Sequence, residues 1–193
     1  LDVNKLSIHF GGVKAVQEVS FSIDAGIVYA VIGPNGAGKT TLFNLITGVY
    51  KPTSGEIRLD GESIGGKSPN ELATRGVART FQTLQICMNM SAIENVMVGA
   101  HLRLDRNRLK AALRLPPLTR RDAEMRVEAA ELMRFVGLEK YIEARADSMP
   151  YGALKRLEIA RALAMKPRLI FLDEPAAGLN PKETIEVDEL IRK

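Results

Sequence analysis

The sequence predicts an α/β fold, with antiparallel β segments at its start and an α-helical subdomain inserted before the last strand. Three observations carry this. Short runs rich in β-branched and aromatic residues open the chain, and one of them feeds a helix. A pattern dominated by Leu, Met, Ala and charged residues takes over from Ser91 to about Met165. The stretch Arg168 to Leu172 then returns to a short apolar strand pattern before a last capped helix.

Taken in order, Val3 to Phe10 and Val16 to Ile23 read as strands, and Ile27 to Ile32 reads as a buried strand because it is apolar throughout. A helix is expected from Lys39 to Thr47, ended by Gly48. Glu56 to Leu59 adds a strand that closes on the Asp60, Gly61 turn. Ser91 and Glu94 have the spacing of a capping box at the start of the helical lobe. Pro116 and Pro117 break that lobe once, Thr119 with Asp122 is suited to start the next helix, and Gly137 ends it. Asn180, Pro181 and Glu183 supply an N-cap, an N1 proline and an N3 glutamate for a final helix.

Between the third strand and the first helix lies the segment Gly33, Pro34, Asn35, Gly36, Ala37, Gly38, Lys39, Thr40, with Thr41 next to it. Glycines in this pattern let the backbone curl until several N–H groups face one anion, an approach that side chains would block. Lys39 adds a mobile cation for the β- and γ-phosphates of a nucleotide. Thr40 offers a hydroxyl to Mg²⁺, and the helix that starts there turns its positive end toward the phosphates. The pattern therefore points to the phosphates of a nucleotide with Mg²⁺.

A second set of residues fits the same chemistry. Leu169 to Leu172 reads as a buried strand whose carboxyl end carries Asp173 and Glu174, and ligands of open parallel sheets sit beyond such ends. Placed beside the strand that feeds the glycine turn, Asp173 would hold Mg²⁺ through water and Glu174 would polarise the water that attacks the γ-phosphate. Gln82, in the ARTFQ stretch after a short strand, is placed to reach the metal and that water while moving with the helical lobe. Phe10, near the end of the first strand, suits either core packing or stacking on a purine base.

Composition excludes several alternatives. A chain of 193 residues with 46% hydrophobic content buries a real core, and 27 basic against 23 acidic residues leave a net charge of only +4. That falls short of the dense clustering of a dedicated nucleic-acid binder, so a nucleic-acid partner is not expected. Cys87 is the single cysteine, which rules out an internal disulfide and fits a reducing compartment. No apolar run approaches the roughly 20 residues needed to span a bilayer, and the opening LDVNKLSIHF has no export-signal pattern.

Together GPNGAGKT, the Gln82 loop, LIFLDEP from Leu169 to Pro175 and AGLN from Ala177 to Asn180 resemble the nucleotide-binding subunit of ATP-binding cassette (ABC) proteins over nearly the whole chain. More narrowly, ARTFQ, MPYGALKRLEIARAL and LDEPAAGLNPKET resemble the ATPases of branched-chain amino acid importers. The resemblance implies a P-loop, RecA-like core with its β subdomain over residues 1–83 and 166–193, interrupted by a helical subdomain with the signature segment over 84–165. It implies a head-to-tail dimer in which ATP on one subunit is covered by the signature of the other, here Tyr151, Gly152 and Ala153. It further implies transmembrane permease subunits as partners and a place on the cytoplasmic side, peripheral on the inner face of the membrane.

The chain departs from the family pattern in two places. The signature reads Met149, Pro150, Tyr151, Gly152, Ala153 where the wider family has Leu, Ser, Gly, Gly, Gln; this implies weaker closure on ATP. The family's switch histidine follows the final helix, beyond Lys193, which implies a fragment; His9 and His101 read as a strand residue near the surface and a lobe-helix residue. The basic stretch from Arg103 to Arg126, which includes Arg106, Arg108, Lys110, Arg114, Arg120 and Arg121, reads as a solvated helical face, a surface near lipid or a membrane subunit, or a weak nucleic-acid contact. Two other functions keep the same fold: a soluble ABC ATPase of DNA repair or translation, and a dimerisation module that closes on ATP without efficient hydrolysis.

Overall fold

The computed structural model describes residues 1–103 and 116–193, and its contacts divide the chain into two compact units, Leu1–Val77 and Ala78–Lys193. In the first, strands β1 (Asp2–Phe10), β2 (Val13–Ser22), β3 (Ser54–Leu59) and β4 (Glu62–Ser63) form one sheet in the order β2-β1-β3-β4. Every pairing in it is antiparallel. Simple alternation breaks in β1, where Leu6, Ser7 and Ile8 are all buried. Register shifts around Leu6 and Ile8 account for it, because a bulge re-aims the residues that follow. The Ser7 hydroxyl in the middle of this run accepts the Glu18 N–H at 2.9 Å, so its burial leaves no polar group unsatisfied.

Helix α1 (Lys39–Ile46) buries Leu42, Leu45 and Ile46 in this unit, and Gly48 follows it at φ 76°, as a helix-terminating glycine does. Helix α2 (Pro69–Thr74) went unread in the sequence although it carries a full signal. Ser68 accepts the Glu71 N–H, Glu71 returns a carboxylate to the Ser68 N–H, and Pro69 takes the first turn.

The expected strand over Ile27–Ile32 does not form. Ile27, Val28, Tyr29 and Ile32 are 57, 65, 51 and 90% exposed, and the segment joins neither sheet. An apolar run indicates that a backbone suits burial on both faces; a strand also needs a hydrogen-bonded neighbour, and none of the described strands supplies one here.

The second unit is built from β5 (Val77–Arg79), which runs into it, α3 (Ala92–Gly99), α4 (Pro116–Phe135), α5 (Tyr151–Leu163), β6 (Leu169–Phe171) and α6 (Pro181–Ile191). Strands β5 and β6 pair in a separate two-stranded sheet. Ile93, Val96, Met133, Leu138, Leu157 and Val187 are almost completely buried in one apolar cluster, which locks α3, α4, α5 and α6 together. The expected capping boxes at Ser91/Glu94 and Asn180/Glu183 are both present. Helix α4 begins at Pro116, three residues ahead of the start expected at Thr119, because a first-turn proline has no intrahelical N–H to lose. Gly137 then follows at φ 71°. Arg106, Arg108, Lys110 and Arg114 of the basic stretch lie outside the described residues. At its ends Arg103 pairs with Glu128 at 2.7 Å and Arg126 with Glu143 at 2.6 Å. His9 is an exposed strand residue, and the exposed His101 sits in a 3₁₀ turn over Ala100–Arg103, as expected.

Candidate functional site: a phosphate cradle and an acidic strand end

The cradle belongs to the first unit. Gly36 and Gly38 have φ of 83° and 87°, so two left-handed residues curl the loop directly before α1, and Gly38 is the residue from which that helix springs. A methyl group at Gly38 would lie 2.7 Å from the Ala15 carbonyl oxygen on β2, so the loop is laid against backbone where only glycine fits. No side chain caps α1, and its first turn carries no acidic residue. Its N-terminal N–H groups and dipole thus meet no fixed anion of the helix's own.

The Lys39 ammonium donates to the carbonyl oxygens of Gly33 at 2.7 Å and Pro34 at 2.9 Å. Among the described residues these neutral carbonyls are its hydrogen-bond acceptors, and a phosphate, which offers stronger charge-assisted bonds, can replace them. Thr40 is exposed at the helix start and Thr41 half-buried beside it. Phe10 is 45% exposed and meets the Tyr50 ring edge-on at 5.2 Å, so it is neither fully buried in the core nor fully open.

The acidic strand end belongs to the second unit. Asp173 follows β6 and accepts a 2.9 Å bond from the Arg79 guanidinium, with both side chains largely buried. Its N–H donates to the Thr80 hydroxyl at 3.3 Å, while the Thr80 N–H donates to the Phe171 carbonyl at 2.9 Å, extending the β5–β6 ladder to the carboxylate. Glu174 stands exposed next to it at φ 48°, a left-handed conformation that is uncommon for a glutamate and that concentrates at functional sites. The Gln82 side-chain amide donates to the Glu174 carboxylate at 3.2 Å, joining two residues 92 positions apart. Sequence reasoning singled out Asp173, Glu174 and Gln82 but gave Arg79 and Thr80 no role. The quoted ARTFQ stretch held both, and only the pairing of β5 with β6 reveals their part.

At the signature, Tyr151 is 45% exposed, and a methyl group on Gly178 would come 3.2 Å from its ring. Gly152 is buried against the Glu183 side chain, and Ala153 is 3% exposed in the helical core. Pro150 heads α5 with no side-chain cap.

These residue types suit a magnesium triphosphate. At Gly38 the loop packs where a Cβ would collide, and the donors it can offer are backbone N–H groups and one ammonium, the partners an oligophosphate takes. Thr40 and Asp173 are hard oxygen ligands of the kind Mg²⁺ prefers. Among the described residues no group of three or more His, Cys, Asp and Glu side chains is placed to hold a metal ion by itself. Among the same residues no helix is long and apolar enough to cross a membrane.

Comparison with known proteins agrees with this geometry. The family model described as ABC transporter matches residues 16–177. The chain is 45% identical over its full length to the high-affinity branched-chain amino acid transport ATP-binding protein BraF of Pseudomonas aeruginosa, and covers 76% of that protein. It is 43% identical over 191 residues to LivG of Escherichia coli, described in the same words, covering 75% of it. Among solved structures, an ATP-binding cassette of an ABC transporter in its ADP conformation superposes with a TM-score of 0.83 at 31% identity, over 99% of this chain and 74% of that one. A nucleotide-free ATP-binding cassette from an ABC transporter gives 0.82 at 32% identity, over 99% of this chain and 75% of that one. With its glycine loop, its paired acids and this breadth of likeness, the chain belongs to the ABC transporter family.

Proposed function

We propose that the chain is the ATP-binding and ATP-hydrolysing subunit of an ABC importer, and that the transported solute is a branched-chain or closely related amino acid. The observation that carries hydrolysis is the exposed Glu174 carboxylate at a strand end with the Gln82 amide 3.2 Å from it. A carboxylate and an orienting amide are what the attack of water on a phosphoryl group requires. The solute assignment is supported by the full-length likeness to BraF and LivG.

In this reading residues 1–83 and 166–193 act as the RecA-like core with its β subdomain, and 84–165 as the helical subdomain. The loop from Gly33 to Thr41 holds the phosphates of ATP through backbone N–H groups, with Lys39 leaving the Gly33 and Pro34 carbonyls for the β- and γ-phosphates. The Thr40 hydroxyl and, through water, Asp173 would hold Mg²⁺, which would supply charge neutralisation to the triphosphate. Gln82 orients a water and Glu174 takes its proton as its oxygen attacks the γ-phosphorus; ADP leaves as the bond to the bridging oxygen breaks. Arg79 holds Asp173 in place. A second subunit covers the nucleotide with Tyr151, Gly152 and Ala153, permease subunits dock on the helical subdomain, and the assembly lies on the cytoplasmic face of the membrane.

One observation favours the reading as an ATP-closed module without efficient turnover: Pro150 brings neither hydroxyl nor N–H to the start of α5, and Ala153 lies in the core. Phosphate release with Mg·ATP separates the two. The importer reading predicts steady release that falls about 100-fold or more in Glu174→Gln, the ordinary contribution of a general base. Nucleotide binding without release overturns it in favour of the closed module.

A further inference from the structure

The face of α5 opposite its solvent side carries two charged residues where a helix core takes apolar ones. Lys155 is 2% exposed and Glu158 6%. Among the described residues the Lys155 ammonium has no carboxylate within ion-pair distance; it donates to the Gln82 carbonyl at 3.2 Å and lies 5.8 Å from the centre of the Tyr151 ring. Glu158, one turn on, accepts the Phe81 N–H at 3.3 Å. Arg161, one turn further, donates to the Gln85 carbonyl. Buried charges of this kind cost stability against apolar residues of the same volume, so their presence calls for a use. All three contacts fall on the main chain of the short segment that presents Gln82.

We propose that Lys155 and Glu158 are positioning residues: they grip the backbone on either side of the Phe81–Gln82 peptide and so aim the Gln82 amide at the Glu174 carboxylate. A backbone grip sets the point from which the Gln82 side chain springs, and its 3.2 Å bond to Glu174 then depends on where α5 stands. Tyr151 lies at the head of the same helix, against both the Lys155 ammonium and Gly178 of the AGLN loop. A shift at the exposed signature tyrosine therefore passes through Lys155 to the glutamine within a single turn of helix. Burial pushes the Glu158 carboxyl above its ordinary range, while the Phe81 N–H and the nearby Lys155 charge oppose that push and favour the ionised form.

This inference rests on the hydrolytic reading of Gln82 and Glu174, but its test has an arm that needs no nucleotide. Amide hydrogen exchange and the Gln82 side-chain amide resonance are measured on the chain alone, for the parent, Lys155→Met, Lys155→Arg and Glu158→Met. Methionine keeps the volume and removes the charge, so the variants are expected to fold. Loss of one charge-assisted hydrogen bond speeds exchange at Phe81 and Gln82 about 10- to 100-fold. In the same variants exchange in α3 and α6 stays at parent rates, the Gln82 side-chain resonance moves, and Lys155→Arg restores both readouts. With Mg·ATP, kcat falls about tenfold or more while KM and nucleotide affinity hold, as expected when only a transition-state contact is displaced. Exchange unchanged at Phe81 and Gln82, or raised evenly through the whole unit, overturns the proposal. So does a local loosening that leaves kcat at the parent value. A parent chain that releases no phosphate defeats the hydrolytic reading instead, and the exchange arm still decides the grip.

Discussion

Replacing Gly99 with Ala tests how closely the packing of the helical unit is set. Gly99 is the last residue of α3, and a methyl group built on it would sit 2.0 Å from the Arg161 carbonyl oxygen and 2.9 Å from its carbonyl carbon. Real Cβ atoms essentially never come within 3.0 Å, and the obstacle is backbone of α5 rather than the end of a flexible side chain, so the two helices must part by about 1 Å. Overpacking of this kind costs about 1–3 kcal/mol, and so close a backbone contact belongs at the upper end. The gain in helix propensity from Gly to Ala offsets at most about 1 kcal/mol. The net loss expected is about 2 kcal/mol, which at a urea m-value of about 1–3 kcal/mol/M lowers the midpoint by about 1 M. Urea unfolding followed by far-ultraviolet circular dichroism reads it directly. Because Arg161 also holds the Gln85 carbonyl, the same variant is expected to speed exchange at residues 81–85. A midpoint equal to or above that of the parent refutes the close approach of α3 and α5 and the packing argument with it.

Glu128 accepts hydrogen bonds from Arg103 and also meets Lys166, which together draw its pKa from 4.5 down to about 2. A depressed acid stabilises the fold above its unfolded pKa and loses that stabilisation as pH falls through the folded value, so the window lies between about pH 4.5 and 2. Its carboxylate is more than a third exposed, so solvent screening leaves about 1 kcal/mol or less, and Glu128→Gln should flatten the acid limb of a pH-stability profile by that amount. Asn180→Ala removes the acceptor of the Glu183 N–H and half of a capping box, and thermal unfolding should show a loss of about 1 kcal/mol. Pro150→Ser supplies α5 with the hydroxyl cap it lacks and should raise phosphate release; an unchanged rate counts against a weak signature. Serine is the cleaner restoration, because a glutamine at 153 would have to enter the core, where Ala153 is 3% exposed.

The parts of this fold that were legible in the sequence are those with short-range causes. The boxes at Ser91/Glu94 and Asn180/Glu183 close within three residues, Gly48 and Gly137 take positive φ where helices end, and β1, β2 and β3 form where their β-rich patterns lie. The glycine loop was legible because Gly36 and Gly38 are needed for conformation and contact rather than for packing. Failures arose where the deciding partner lies far along the chain. Ile27–Ile32 has the composition of a strand, but hydropathy does not name the neighbour that would complete its ladder. Arg79 and Thr80 gain meaning only from β6, about ninety residues later, and Lys155 and Glu158, which the sequence does not single out, gain theirs only once the burial of α5 is seen. The Ser68/Glu71 box is a different kind of miss: a strong local signal attached to a helix of six residues, short enough to pass for a loop.

We propose that Lys39 and Asp173 serve the same Mg·ATP. Isothermal titration with Mg·ATP of the parent, Lys39→Ala, Asp173→Asn and the double variant tests it as a thermodynamic cycle. Each single change is expected to weaken binding about tenfold or more, and the double change to depart from the sum of the two by about 0.5–3 kcal/mol, as groups sharing one ligand do. Singles that bind like the parent, or losses that add without remainder, contradict it.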